Sequence, residues 1–164
     1  MKNTNKGLSY VEMILVIAIS SIVVGLSTMT IGILNRNNAE KAATKLSSAL
    51  SKAQALSMAK GTYNGCISLV QSDGSYYYYY GSDSAASVKF ASSPCTVEVI
   101  DDSNNSVPIG TTPIIYYFSS TTGGVDATKP DSCTSYKIKI SNKGKTNVYL
   151  KIYKTTGKTE LVGN

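Results

Sequence analysis

The sequence predicts an α+β fold: a long N-terminal helix, with a membrane half and an amphipathic half, packed on a C-terminal antiparallel β head. Three observations carry that prediction. Residues 13–34 form a run of 22 without a charge. Residues 35–60 keep a helical period of apolar side chains. From Gly61 onward the helical period is lost, and short stretches rich in Ser, Thr, Tyr and β-branched residues alternate with Gly and Asn/Asp clusters.

Composition narrows the chemistry. The chain of 164 residues suits one domain plus an appendage, and it holds no histidine and no tryptophan. Without histidine, Ser-His-Asp and Cys-His catalysis are excluded, and the commonest zinc ligand is missing. No catalytic constellation, metal site or cofactor is expected. The formal charge of +6 is unevenly spread. Residues 8–60 carry a net +3, residues 61–134 a net −5, and residues 135–164 a net +6 from seven lysines against Glu160. Lys2 and Lys6 complete the total.

The apolar run comes first. At ~1.5 Å per residue, 22 residues give a helix of ~33 Å, enough for a hydrocarbon core of ~30 Å. A cleaved secretory signal needs a shorter apolar core and a small-x-small site after it. The run is too long for that, and NRNNAEKAA, which follows, offers no such site. A plain signal anchor explains the length and the preceding lysines. It explains neither Gly7 nor Glu12, an ionisable group at the edge of an apolar segment, where charge is costly.

The stretch K-G-L-S-Y-V-E at residues 6–12, followed by an apolar helix, resembles the class III leader of type IV pilins and type II secretion pseudopilins. The resemblance implies scission between Gly7 and Leu8 by a prepilin peptidase, and N-methylation of the new amino terminus on Leu8. Glu12 then stands at the fifth mature position, where the family carries its glutamate. Leu8, Ser9 and Tyr10 replace the usual Phe-Thr-Leu start. Cleavage releases a cation on Leu8 that Glu12 of a neighbouring subunit can meet. Two unit charges ~4 Å apart attract by ~4 kcal/mol at an effective dielectric of 20, part of which desolvation consumes. Glu12 is thus expected to set assembly registry rather than to add net stability.

The implied organisation is a leader at 1–7, a transmembrane or fibre-core helix at 8–34, an amphipathic continuation at 35–60 and a β-rich, pilin-like head at 61–164. The implied partners are other pilin or pseudopilin subunits, the prepilin peptidase, an assembly platform protein, and the membrane before assembly. The implied location is a single pass through the inner or cytoplasmic membrane with an extracytoplasmic head, then a surface pilus.

In the continuation, Ala39, Ala42, Ala43, Leu46, Ala49, Leu50, Ala53 and Leu56 recur at steps of three and four and form one stripe. Glu40, Lys41, Lys45, Ser48 and Lys52 take the opposite side. Gly61 suits a C-cap. Gly25 and Gly32 each lower helix propensity by ~1 kcal/mol relative to alanine, or else allow close helix packing. The alanine-rich ending AATKLSSALSKAQALSMAKG and the closing hairpin and Thr-Gly turn resemble the GspH/FimT-type minor pseudopilins, although the arginine typical of that subgroup is absent.

In the head, strands are expected at 64–70, 75–80, 87–91, 95–100, 114–118, 136–141, 146–153 and 158–162. In SYYYYYG, alternation sends Tyr76, Tyr78 and Tyr80 to one face and Tyr77 and Tyr79 to the other. The stretch reads as a half-buried strand, with a sugar- or base-stacking platform as the alternative. DDSNNS at 101–106 could supply oxygen ligands to calcium, but it lacks EF-hand spacing and reads rather as a solvated turn. Cys66, Cys95 and Cys133 allow three pairings; Cys95–Cys133 is the candidate disulfide, since both adjoin loop-like stretches, and buried thiols without a bond are the alternative.

The terminal strands pair as a hairpin through NKGK. One face is apolar. The other gathers Lys137, Lys139, Lys151, Tyr149 and Tyr153, candidate contacts for the backbone and bases of DNA. A solvated sheet face is the alternative. The expected function is therefore structural: a minor subunit of a type IV pilus, competence pseudopilus or type II secretion-like system. The alternative is a DNA-binding minor pilin that uses the lysine–tyrosine hairpin.

Overall fold

The computed structural model describes residues 9–101, 103–129, 132–143 and 146–163, with the side chains of 26–36, 146 and 163 outside the description. The chain divides into two compact units, Met1–Leu34 and Asn35–Asn164. Helical backbone, α1, carries Tyr10–Lys60. Its described side chains fall into two stretches, 10–25 in the first unit and 37–60 in the second.

The second unit is built on the alanine–leucine stripe. Ala39, Ala43, Leu46, Leu50 and Ala53 are fully buried, and Ala42 and Ala49 nearly so. Small residues at this spacing let the helix lie close to the strands it covers. At the end of the stripe Ser57, not Leu56, is the buried residue. Gly65 crosses the helix there, and any Cβ on it would collide with the Ser57 backbone and hydroxyl. Gly61 then stops the helix at φ +91°, and its N–H closes on the Ser57 carbonyl at 2.9 Å.

Among the described residues nine strands follow: β1 (Ile67–Ser72), β2 (Ser75–Tyr80), β3 (Val88–Ser92), β4 (Cys95–Ile100), β5 (Ser106–Pro108), β6 (Ile114–Tyr116), β7 (Lys137–Asn142), β8 (Thr146–Ile152) and β9 (Thr159–Gly163). A short 3-10 turn, Ser84–Ala86, lies between β2 and β3. The strands form two sheets, ordered β3-β2-β1-β6 and β5-β4-β7-β8-β9, and every named strand pair is antiparallel. Alternation decides the faces. Ile138, Ile140, Leu150 and Ile152 are at most 1% exposed, whereas Lys137 and Lys151 face solvent. Residues of both sheets join the helix stripe in one apolar core, with Tyr116 and Phe118 its largest fully buried side chains.

Each expected strand is present with its ends within three residues of the prediction; β5 and the 3-10 turn are additional. The expected fold class requires correction. Among the described residues no helix is long and apolar enough to cross a membrane. The described apolar side chains run from Tyr10 to Gly25, and at ~1.5 Å per residue that is ~24 Å, short of the ~30 Å core. Positions 26–34 of the expected run lie outside the described side chains. A long membrane-and-amphipathic helix packed on the head is also not what the head contains. Its unit takes in only the helix from residue 35 onward, beneath two antiparallel sheets. The transmembrane segment and the single-pass membrane location expected from the sequence are therefore set aside.

Candidate functional site

Two surfaces bear on function, one in each unit. In the first unit, Val11, Ile17, Ile22 and Val24 are 60–70% exposed, and Met13, Ile14, Leu15, Val16, Ile19 and Val23 are more than half exposed. These residues occupy every side of the helix, so no single-sided packing within the chain could bury them. Glu12 is the one charged residue between Tyr10 and Gly25. Its carboxylate accepts the backbone N–H of Ser9 at 2.7 Å. With Ser9 preceding the first helical residue and Glu12 at the third, this is one half of a capping box, S-x-x-E. The signature is legible at residues 9–12, inside the leader-like stretch K-G-L-S-Y-V-E. Gly7 and Leu8, the expected cleavage and methylation positions, lie outside the described residues.

In the second unit the expected lysine–tyrosine hairpin is present. Lys137 pairs with Lys151 and Lys139 with Tyr149 across β7 and β8, which puts all four on one face. Each lysine has a partner within the molecule. Lys137 Nζ lies 4.5 Å from the centroid of the Tyr149 ring, and Lys151 Nζ 4.9 Å from that of Tyr153. Lys139 Nζ meets Glu98 Oε2 at 3.1 Å. Tyr153 donates its hydroxyl to Glu160 Oε2 at 2.7 Å, and Glu160 is the cross-strand neighbour of Lys151. The Ser106 hydroxyl and Lys139 hold the Glu98 carboxyl below its ordinary value, while the Glu160 carboxylate pushes the Tyr153 phenol up. Glu98 and Glu160 thus interleave with the cations, a feature that the spacing within the hairpin alone could not reveal, since β4 supplies one carboxylate and β9 the other.

The three cysteines are free thiols, so the expected Cys95–Cys133 bond is not formed. The two stand on different sheets. Cys95 opens β4, opposite Asn142. Cys133 joins the other sheet through its N–H to the Ile115 carbonyl, 2.7 Å. Burial raises the Cys66 and Cys95 thiols above their ordinary value.

In the DDSNNS stretch, Asp101 accepts both the backbone N–H and the side-chain amide of Asn105, at 2.7 and 3.1 Å, and these bonds lower its carboxyl. Asn104 at φ +63° completes a closed turn. Among the described residues no group of three or more His, Cys, Asp or Glu side chains is placed to hold a metal ion.

Gln54 is a positioning residue that the sequence reading passed over. From the helix its amide donates to the carbonyls of Gly123, at 3.0 Å, and of Thr156. Gly123 and Gly157, both at positive φ, pack so closely at this point that a Cβ on Gly157 would strike the Gly123 carbonyl. Comparison with protein-family profiles, curated proteins and solved structures finds no match for the chain.

Proposed function

We propose that the chain is a structural subunit of the type IV pilin or pseudopilin kind, which polymerises through its N-terminal helical segment after cleavage following Gly7. The observation that supports the reading most is the apolar surface of 10–25. Among the described residues nothing covers a segment whose Val11 is 70% and whose Val24 is 64% exposed. Copies of the same segment packed side by side would cover every face. Glu12 supplies the one charge in that surface. A Leu8 amine from an adjacent subunit would compensate it and select one axial stagger over others. The partners this requires are like subunits, a prepilin peptidase that recognises Lys6-Gly7, and a platform protein on which subunits assemble.

The DNA-binding alternative at the hairpin is the weaker reading, because Glu98 pairs with Lys139 and Glu160 stands opposite Lys151 on the face that would meet the phosphates. The test is the mature amino terminus. The full chain, produced together with a prepilin peptidase, is recovered and its N-terminal peptide read by mass spectrometry. A start at Leu8 is expected. An intact start, or trimming at another bond, overturns the proposal.

A further inference from the structure

The five consecutive tyrosines of β2 divide into two unlike groups. On the core side the rings are engaged. Tyr76 and Tyr78 each pack against Phe90 with centroids 6.2 Å apart, Tyr78 meets Tyr80 edge-on at 5.6 Å, and Tyr80 donates its hydroxyl to the Ala49 carbonyl at 3.3 Å. Tyr77 and Tyr79 project from the other face of the sheet, half-buried. Among the described residues neither has a ring partner or a hydrogen bond to its hydroxyl.

These two rings form the floor of a cleft of about 450 Å³. Val70, the cross-strand neighbour of Tyr77, lies beside them. Ser84, in the 3-10 turn, and Ser87 line it after β2, and Pro113 lines it ahead of β6. The Asp83 carboxylate braces that turn by accepting the Ala85 N–H at 3.2 Å. Small-molecule sites commonly fall between ~300 and ~1,000 Å³ and combine apolar or aromatic walls with a few polar groups. Among the described residues no charged side chain lines this one, although the chain as a whole carries +6.

We propose that the cleft binds a neutral saccharide, with a sugar ring laid on Tyr77 and Tyr79. The electron-rich face of a tyrosine attracts the C–H face of a pyranose, which carries partial positive charge. The Ser84 and Ser87 hydroxyls and the two phenols both donate and accept, as a ring of hydroxyls requires. A nucleic acid would need cations along the cleft for its phosphates, and among the described residues none lines it. The proposal is independent of the role assigned to the N-terminal segment.

The test uses the full chain in a zwitterionic detergent without a sugar headgroup. Cellotetraose, chitotetraose and maltotetraose are titrated by calorimetry and by tyrosine fluorescence, which no tryptophan obscures. Saturable binding of at least one probe, unchanged by salt, is expected. Tyr77→Ala and Tyr79→Ala should each weaken it by about tenfold, Tyr79→Phe by less, and Tyr149→Ala on the other sheet not at all. Ser87→Trp, read by calorimetry alone, intrudes into the cleft without removing a floor ring and should abolish binding; it keeps the test decisive where an alanine variant fails to fold. Absence of saturation at millimolar probe, or alanine and Ser87→Trp variants that bind as well as the parent, overturns the proposal. So does salt-sensitive binding of oligothymidine lost in Tyr77→Ala, which would make the cleft a base-stacking site. Concentration-dependent self-association lost in the same variant would make it a contact between copies and would equally overturn it.

Discussion

Ser9 donates its backbone N–H to the Glu12 carboxylate, so Glu12 has a local task as well as the intermolecular one proposed for it. The two are separable. Glu12→Gln keeps an acceptor for Ser9 and discards the charge; Glu12→Val discards both. If registry depends on charge, both variants lose fibre assembly, and Glu12→Gln retains the helicity seen by circular dichroism. Normal assembly of Glu12→Gln would leave only the cap. Glu98 makes a second residue-scale prediction. Its folded-state carboxyl is lowered, first by the Ser106 hydroxyl and then by Lys139. Its stabilising contribution is therefore complete above the unfolded value of ~4.3 and is lost as the pH falls through the lower folded value. Glu98→Gln should be less stable than the parent at neutral pH, and chemical denaturation curves of the two should converge as the pH is taken below ~4. The thiols supply a third. Alkylation of the native chain should mark Cys133 first and the buried Cys66 and Cys95 slowly, with all three marked after unfolding. A peptide map with a Cys95–Cys133 link would contradict the free thiols.

The helix from 37 to 60 shows how much of an element its own residues specify. The stripe Ala39 to Ala53 was legible because burial on one side of a helix demands steps of three and four. Its final position was not, because the choice between Leu56 and Ser57 depends on where Gly65 crosses, 8 residues later in the chain. Leu50→Ala, at a fully buried site, should cost ~2–5 kcal/mol of unfolding free energy measured by chemical denaturation, and Leu56→Ala distinctly less. Equal losses would mean that the buried face is misassigned. The strands repeat the lesson. β7 and β8 were readable from strict alternation of Ile, Val or Leu with Lys and Tyr. β5 is three exposed residues, Ser106–Pro108, too short to show any period, and only its pairing with β4 makes it a strand.

At the scale of the molecule, two units with opposite surfaces share one chain. The second buries its apolar side chains in a single core of helix and two sheets, while the described part of the first exposes nearly all of its own. That contrast is the physical ground for the assembly proposed above. Purified full chain should associate through the first unit, and light scattering should show association weakened when exposed Ile17 and Val24 are both replaced by Ser. Replacing exposed Val88 and Val107 of the head in the same way should leave it unchanged. Loss of association in the head variant alone would move the interface to the sheets.

Local chemistry in the sequence determined the helical stripe, the order and approximate ends of eight strands, the hairpin that sets Lys137, Lys139, Tyr149 and Lys151 on one face, and the division of the five tyrosines between two faces. Each depends on the period of a side chain along its own backbone, which neighbours in sequence fully define. Tertiary structure alone decided that Glu98 and Glu160 interleave with those lysines, that Gln54 ties the Gly123 and Thr156 segments to the helix, that Cys95 and Cys133 stand on separate sheets, and that Tyr77 and Tyr79 floor a cleft walled by Ser84, Ser87 and Pro113. These are contacts between different elements, some successive in the chain and some tens of residues apart. Their geometry follows from strand order and loop path, and no periodicity along a single segment encodes either.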